Sequence, residues 1–575
     1  MPLDITLMVG GEAGQGVQSV GFILAKAFAR GGFHVFADQE YESRVRGGHN
    51  FFRVRVSDGE VLAVSQNLDI LIAMNRETIE LHKNEVKSNG VVIFDEEQTK
   101  VDAQGDNYFG VPLARLAEEA THNKLMTNTV AVGVAVGLAG YDFDVVTAVL
   151  REEFARHGRQ VAEDNVAAAI AGFEYAREHC KQKAAQKLKP VTGVARRMLL
   201  HGNEALSLGA VVGGCRFIAG YPMTPATSIL EYMADKGRNF NIVAMHVEDE
   251  ISAINMAIGA GYTGVRAMVA TSGGGFSLMV EGLALAGMTE TPVVVVLGQR
   301  PGPATGLPTR TEQGELEFAL HAGHGEFPRV IVAPATAAEA FYATIKAFNL
   351  AGKYQVPAII LTDHHLATSY ATVERFDLAQ VKIDRGALLS EEEVSGLTDY
   401  RRHQITESGI SPWALPLQGK ALVVTDSDEH DEAGHMIEDA ETRNQQNLKR
   451  LRKLNGLKAE ISSPLVHQSP NAEFSLIGWG STYGAIKEAA DLLEQNSVAV
   501  NILHLSEIWP FPAEAVSSFL DNRAKSIVIE NNATAQMARL IRRETGHKVN
   551  GSILKFDGRP FSPQYIVKHL KEEVA

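Results

Sequence analysis

Residues 270–276 read Ala-Thr-Ser-Gly-Gly-Gly-Phe, and residues 292–297 read Pro-Val-Val-Val-Val-Leu. The first is a strand end turning through glycines into a helix. The second is an apolar run without alternation, as expected of a parallel strand covered on both faces. Further runs of this kind occur at Ile5–Val9, Ile70–Met74, Val91–Phe94, Ala358–Leu361, Ser475–Ile477 and Ser526–Ile529. Helical stretches such as Val17–Arg30, Thr336–Leu350 and Tyr483–Glu494 lie between them. The expected class is α/β with doubly wound sheets.

Composition sets the divisions. A first α/β domain is expected over 1–178. The basic stretch Cys180–Pro190 ends in proline and marks a linker over 179–194. A second domain follows over 195–375, then a polar connecting region over 376–470, and a last α/β domain over 471–575. Within the connecting region a strand is expected at Ala421–Thr425, a solvated acidic run at Asp426–Asp439 and a basic helix at Leu448–Lys453. No short internal repeat is present.

With 575 residues, 45% hydrophobic and 21% charged, the chain has the make-up of a soluble globular protein of several domains. Lys plus Arg is 54 against 69 for Asp plus Glu, a net charge of −15. An acidic chain is a poor ligand for a phosphate backbone, so a nucleic-acid partner is not expected. No apolar run approaches bilayer length, the N-terminus lacks a targeting signal, and a cytoplasmic protein is expected. Two cysteines, Cys180 and Cys215, cannot build a four-cysteine iron–sulfur site and suit a reducing compartment.

Five stretches carry candidate chemistry. Gly10–Val17, with Gly14 and Gly16, follows a strand and opens a helix. It is either a phosphate cradle or a bare strand–helix turn. Arg44 and Arg46 flank the pair Gly47-Gly48 ahead of Phe51–Val56, whose alternation reads as a half-solvated strand. Tyr221-Pro222-Met223-Thr224-Pro225-Ala226-Thr227 is stiffened by two prolines. The hydroxyls of Thr224 and Thr227 either face a ligand or cap the helix beginning near Ser228. Glu248-Asp249-Glu250 precedes a small-residue helix. Its carboxylates complement a helix dipole, yet Glu250 borders the buried face, where it needs a partner. Gly273-Gly274-Gly275 opens another helix, and Arg300 stands just past a strand end, where open α/β sheets bind ligands. A guanidinium there suits a carboxylate. His364-His365, and His430 with His435 among seven carboxylates, lack a closed ligand set, so no metal site is expected.

Taken in order, these motifs resemble the 2-oxoacid:ferredoxin oxidoreductases. Tyr221–Pro225 is similar to the family's YPITP loop, with Met223 in place of Ile. Glu248-Asp249-Glu250, Thr271–Gly275 and Gln299-Arg300-Pro301-Gly302-Pro303 are similar to later signatures of its α subunit. Residues 1–178, with their GEAGQGVQS and RVRGGHNFF stretches, resemble its γ domain. Residues 195–375 resemble a thiamine-pyrimidine domain, and Gly478–Ser481 opens what resembles a transketolase C-terminal domain.

The resemblance implies oxidative decarboxylation of a 2-oxoacid on thiamine diphosphate, with single electrons leaving through iron–sulfur clusters and coenzyme A taking the acyl group. It places Glu250 at N1′ of the aminopyrimidine, Thr224 against the substrate or the thiamine, and Tyr221, Pro222 and Gly273–Gly275 around the cofactor. It places Arg300 on the carboxylate beside the keto group. Thr305 and Arg310 are the local candidates for a second carboxylate, and Arg44, Arg46, Gly14 and Gly16 for coenzyme A. No Gly-Asp-Gly diphosphate–magnesium motif is present. A separate β subunit is therefore expected to supply the Mg²⁺ site and a [4Fe–4S] cluster, in an (αβ)2 heterotetramer that hands electrons to ferredoxin. The fused γ–α order suits the 2-oxoglutarate enzyme, while pyruvate and branched-chain relatives share the loops. A non-catalytic assembly subunit is the competing reading. It would need neither Glu250 nor Arg300 at these positions.

Overall fold

The apolar runs form strands because each finds at least one parallel neighbour. In the computed structural model, which describes residues 3–43, 47–99, 105, 107–180 and 187–574, the chain divides into two units. One comprises Met1–Leu200, Thr368–Arg375 and Ser562–Tyr565; the other His201–Ala367, Phe376–Phe561 and Ile566–Ala575.

The first unit holds an eight-stranded sheet built from β1 (Asp4–Ala13), β2 (His34–Glu40), β3 (Gly47–Ser57), β4 (Leu68–Ala73), β5 (Val86–Asp95), β6 (Tyr108–Val111), β7 (Met198–His201) and β14 (Tyr370–Val373). Its order is β6-β5-β4-β1-β3-β2-β14-β7. β1 runs parallel to β4 and antiparallel to β3, so the sheet is mixed. The half-solvated reading of Phe51–Val56 needs correction. β3 lies between β1 and β2, and its arginines are paired rather than solvated. Arg53 Nε and Nη2 donate to the Asp38 carboxylate at 2.8 and 2.7 Å, and Arg55 donates to Asp4 at 2.9 and 2.7 Å. Asp38 stands directly opposite Arg53 in the ladder. The helix Val17–Arg30 has the bounds expected from sequence. Helices Thr127–Ala139 and Arg159–His179 cross where Gly133 and Gly172 bring the backbones together, because a Cβ on either would strike the other helix's carbonyls.

The second unit holds two sheets. The larger contains β8 (Phe217–Gly220), β9 (Val243–His246), β10 (Ala267–Thr271), β11 (Val293–Gln299), β12 (Val330–Val332), β13 (Pro357–Asp363) and β18 (Glu507–Trp509). Its order is β18-β12-β13-β11-β10-β8-β9, parallel apart from the β12–β18 pair. The smaller contains β15 (Leu465–His467), β16 (Phe474–Trp479), β17 (Val500–Leu505), β19 (Lys525–Glu530) and β20 (Gly551–Leu554), in the order β15-β17-β16-β19-β20. One apolar cluster runs from Val295 and Leu297 through Ile331 to Trp479, Leu503 and Val528, so both sheets share a core. Among the described residues no helix is long and apolar enough to cross a membrane.

Two expectations fail within 376–470. Residues 421–425 form no strand. Among the described residues no strand pairs with them, and side chains take up their polar groups instead: Tyr262 Oη donates to Val423 O at 3.1 Å, and Thr425 Oγ1 meets His403 Nε2 at 2.9 Å. The acidic run and the basic helix are not wholly solvated. The helix Ala440–Glu460, capped by Asp439, buries Lys449, Arg450 and Lys453. Glu290, fully buried, meets Lys449 and Lys453 at 2.5 Å each and His403 Nδ1 at 2.9 Å. Arg450 holds Glu429 of the acidic run through two hydrogen bonds of 2.9 and 2.7 Å. Glu290, His403 and His430 lie close enough together to suggest a metal site. The two lysines already occupy the Glu290 oxygens, and Arg402 donates to the Glu290 carbonyl at 2.7 Å. A metal cation would meet three positive side chains there, so the cluster is an ion-pair network.

Candidate active site

In the second unit the candidate residues collect at the carboxyl ends of β8, β9, β10 and β11. β8 runs into Tyr221–Pro225. Tyr221 and Pro222 are exposed, Met223 and Thr224 half-buried and Pro225 buried, and the Thr224–Pro225 peptide is cis. Two side chains hold this loop. Asn203 Nδ2 donates to Pro225 O at 2.8 Å, and Arg300 Nη1 donates to Thr224 O at 2.8 Å. The capping reading of Thr224 and Thr227 fails, since the helix Thr227–Phe240 starts after Ala226 with no side-chain cap.

Asp249, not Glu250, caps the next helix, accepting Ser252 N–H at 2.7 Å. That leaves Glu250, 4% exposed, free of the capping role. Its Oε1 is buried without a hydrogen-bond partner among the described residues. Glu248 is exposed. Glu250 Oε1 lies against Gly275, where a Cβ would collide with it and with Thr271 Oγ1. Gly275 is therefore glycine because the carboxyl group needs the room. Gly273 does the same for Glu315, and Gly274 is exposed.

Arg300 follows β11 and is half-buried; burial lowers its pKa and Glu315 acts against that. Past it, Thr305 is exposed. Arg310 donates from Nη1 to Thr309 O at 3.0 Å and packs beside Gly558. His364, just past β13, is buried. Burial pushes its pKa down to about 3, with His365, Arg310 and Arg300 adding to the effect. Arg300 and Arg310 thus act on one neutral imidazole. The structure joins Glu250 to Gly275, and Arg300 to Thr224, and it brings Arg310 into range of the same histidine; Thr305 stays on the loop surface.

Sequence reading passed over Glu315 and Asn203, gave Gln299 a place in a motif but no role of its own, and set His364 aside. Glu315 had one signal, its place in the proline-stiffened loop that follows Arg300. Asn203, in a small-residue helix, had none.

In the first unit Gly14 and Gly16 have φ of +95° and +75°, which glycine adopts readily. Gln15 Oε1 accepts Glu12 N–H at 2.7 Å and closes the turn. Gly10 and Gly11 belong to β1, not to the turn. Arg44 and Arg46 lie outside the described residues.

Comparison with known proteins gives this geometry a context. Residues 208–449 match the thiamine-diphosphate-binding domain of the pyruvate flavodoxin/ferredoxin oxidoreductases. Residues 6–175 match the pyruvate ferredoxin/flavodoxin oxidoreductase family, and residues 472–566 match core domain II of pyruvate:ferredoxin oxidoreductase. A 2-oxoacid:ferredoxin oxidoreductase α subunit from Sulfolobus sp is 35% identical, over 97% of this chain and 95% of its own. The chain belongs to the 2-oxoacid:ferredoxin oxidoreductase α subunits. It is also similar to the 2-oxoglutarate oxidoreductase subunit KorA of Mycobacterium tuberculosis, with 29% identity over 100% of this chain and 92% of that one. The 2-oxoglutarate:ferredoxin oxidoreductase of Magnetococcus marinus, solved with 2-oxoglutarate, coenzyme A and succinyl-CoA bound, superposes with a TM-score of 0.93 at 31% identity, covering 100% of both chains. This family consists of oxidoreductases, and its thiamine-diphosphate-binding match spans Thr224, Glu250, Gly273–Gly275, Arg300 and Glu315.

Proposed function

We propose that the chain is the α subunit of a 2-oxoglutarate:ferredoxin oxidoreductase. The enzyme interconverts 2-oxoglutarate, coenzyme A and oxidised ferredoxin with succinyl-CoA, carbon dioxide and reduced ferredoxin. The observation that carries this reading is the unpartnered, buried Oε1 of Glu250 against Gly275. A buried polar atom without a partner costs about 1–3 kcal/mol, so such an atom implies a ligand that completes it. The aminopyrimidine of thiamine diphosphate is such a ligand. When bound, the cofactor supplies the nucleophilic carbon and electron sink that 2-oxoacid decarboxylation needs. Glu250 holds the proton shared with the pyrimidine nitrogen. The Tyr221–Pro225 loop and the glycine turn shape the pocket, and Thr224 faces the substrate. Arg300, tied to that loop through Thr224 O, orients the carboxylate beside the keto group.

The 2-oxoglutarate and coenzyme A in the Magnetococcus marinus structure support the choice of substrates. Gly14 and Gly16 remain the coenzyme A candidates on this chain. A β subunit supplies Mg²⁺ and a [4Fe–4S] cluster in a cytoplasmic (αβ)2 assembly, and ferredoxin carries the electrons. The test is to purify the complex with its β partner and assay coenzyme-A-dependent reduction of a viologen dye over a panel of 2-oxoacids. No turnover of any 2-oxoacid would refute the reading.

Arg300→Lys is expected to raise KM about tenfold for every 2-oxoacid, because an ammonium point charge replaces a planar fork. An unchanged KM across the panel would remove Arg300 from the carboxylate site. Arg310→Ala is expected to raise KM for 2-oxoglutarate by about tenfold to 150-fold and to spare pyruvate. Equal losses on both substrates would show that Arg310 does not read the distal carboxylate.

A further inference from the structure

Two carboxyl groups bracket the glycine turn that opens the helix Gly273–Met288. Glu250 Oε1 occupies the space beside Gly275, and Glu315 Oε1 occupies the space beside Gly273. Glu315 is set in place through its backbone. Gln299, fully buried, accepts the Glu315 N–H at 3.0 Å while its own amide donates to Thr362 O at 3.1 Å. The carboxyl's Oε2 is closed off from solvent and has no hydrogen-bond partner among the described residues. Arg300 lies within electrostatic reach of this carboxyl. Yet its hydrogen bond goes to Thr224 O, and it makes no ion pair among the described residues.

We propose that Glu315 is a positioning residue for substrate: as a neutral acid it leaves the Arg300 guanidinium to a ligand carboxylate, and once ionised it competes with that ligand for the same guanidinium. The charged groups acting on Glu315 are Glu312 and Arg300. Burial has the largest effect and raises its pKa, Glu312 raises it further, Arg300 lowers it, and the result is about 8. An ordinary carboxyl would be ionised at neutral pH and would pair with Arg300 before any substrate arrived. Here the proton stays on until the pH passes about 8, so substrate affinity is retained below that value and declines above it.

This inference rests on the reading of Arg300 as the 2-oxoacid carboxylate site. The test measures KM for 2-oxoglutarate against pH in the αβ complex carrying wild-type chain, Glu315→Gln or Glu312→Gln. Wild type is expected to show KM rising about tenfold between roughly pH 7 and pH 9, the loss of one charge-assisted hydrogen bond. Glu315→Gln is expected to give a flat profile. Glu312→Gln is expected to move the rise to lower pH, since it removes a carboxylate that keeps the Glu315 proton on. Infrared difference spectra of wild type against Glu315→Gln read the protonated carboxyl directly, without turnover. A protonated-carboxyl band that is lost on raising the pH is the expected result. Absence of that band at neutral pH, or an alkaline rise in KM that survives in Glu315→Gln, overturns the proposal. Turnover with an unchanged alkaline rise fails Glu315 alone. The band without turnover of any 2-oxoacid fails the functional reading, and the role of Glu315 with it.

Discussion

Glu250→Gln lowers kcat of the αβ complex by about 10²–10⁴-fold, the usual cost of losing one positioned acid–base group. The structure makes this substitution clean. Asp249 carries the helix cap, so the first turn of Glu250–Tyr262 does not depend on the Glu250 charge. Glutamine fills the same volume beside Gly275, where even one added methyl would collide. An amide there can donate or accept a hydrogen bond, but it cannot hold and release a proton. The melting temperature of the chain is expected to change little while turnover collapses. Near wild-type turnover would assign the proton elsewhere. Glu248 is the first alternative by sequence, although its exposure makes it a poor one.

Glu290→Ala destabilises the second unit by about 3–5 kcal/mol, because it leaves buried ammonium groups with no counter-charge. That is a large share of the roughly 5–15 kcal/mol that separates a typical folded domain from its unfolded state. Burial alone would push the Glu290 carboxyl up. Lys449 and Lys453 outweigh it, with His403 adding to their effect, and hold the carboxyl well below its usual range. A carboxyl depressed in the folded state stabilises above its unfolded pKa and loses that contribution as pH falls through the folded value. Replacing Glu290, Lys449 and Lys453 together by apolar residues of similar size is expected to recover most of the loss. Urea unfolding of the wild type and of these two variants decides it. A Glu290→Ala loss under about 1 kcal/mol would mean that water reaches the cluster.

The parts of the fold legible in the sequence are those specified locally. Val293–Leu297 is a strand because consecutive valines need two covered faces. Val17–Arg30 is a helix because its apolar residues recur on one side. Ala421–Thr425 has the composition of a strand, but a strand exists only through a neighbour, and no local pattern supplies one. Lys449 and Lys453 look like ordinary solvated lysines on a basic helix. Their carboxylate stands about 160 positions earlier, at Glu290, and nothing near either end announces the pairing. The site divides in the same way. Glu250 and Arg300 were readable because each follows a strand end in a recognisable motif. Glu315 was not, because its importance depends on the remote Gly273 making room and on Gln299 clamping its backbone.

The edge strand β18 also bears on how the gene itself can be divided. It comes from the C-terminal stretch yet completes the sheet that begins with β8, beside β12. A reading frame stopped near residue 470 would leave β12 with bare N–H and C=O groups, the edge along which chains aggregate. It would also remove Trp479, Leu503, Val528 and their neighbours from the apolar cluster that they share with β11 and β12. The smallest heritable piece that can carry the Glu250–Arg300 site therefore extends from about residue 201 past β20. Recombination cannot trim the last hundred residues, and a junction at residue 200 would part β2 from β14, its partner strand from Tyr370–Val373.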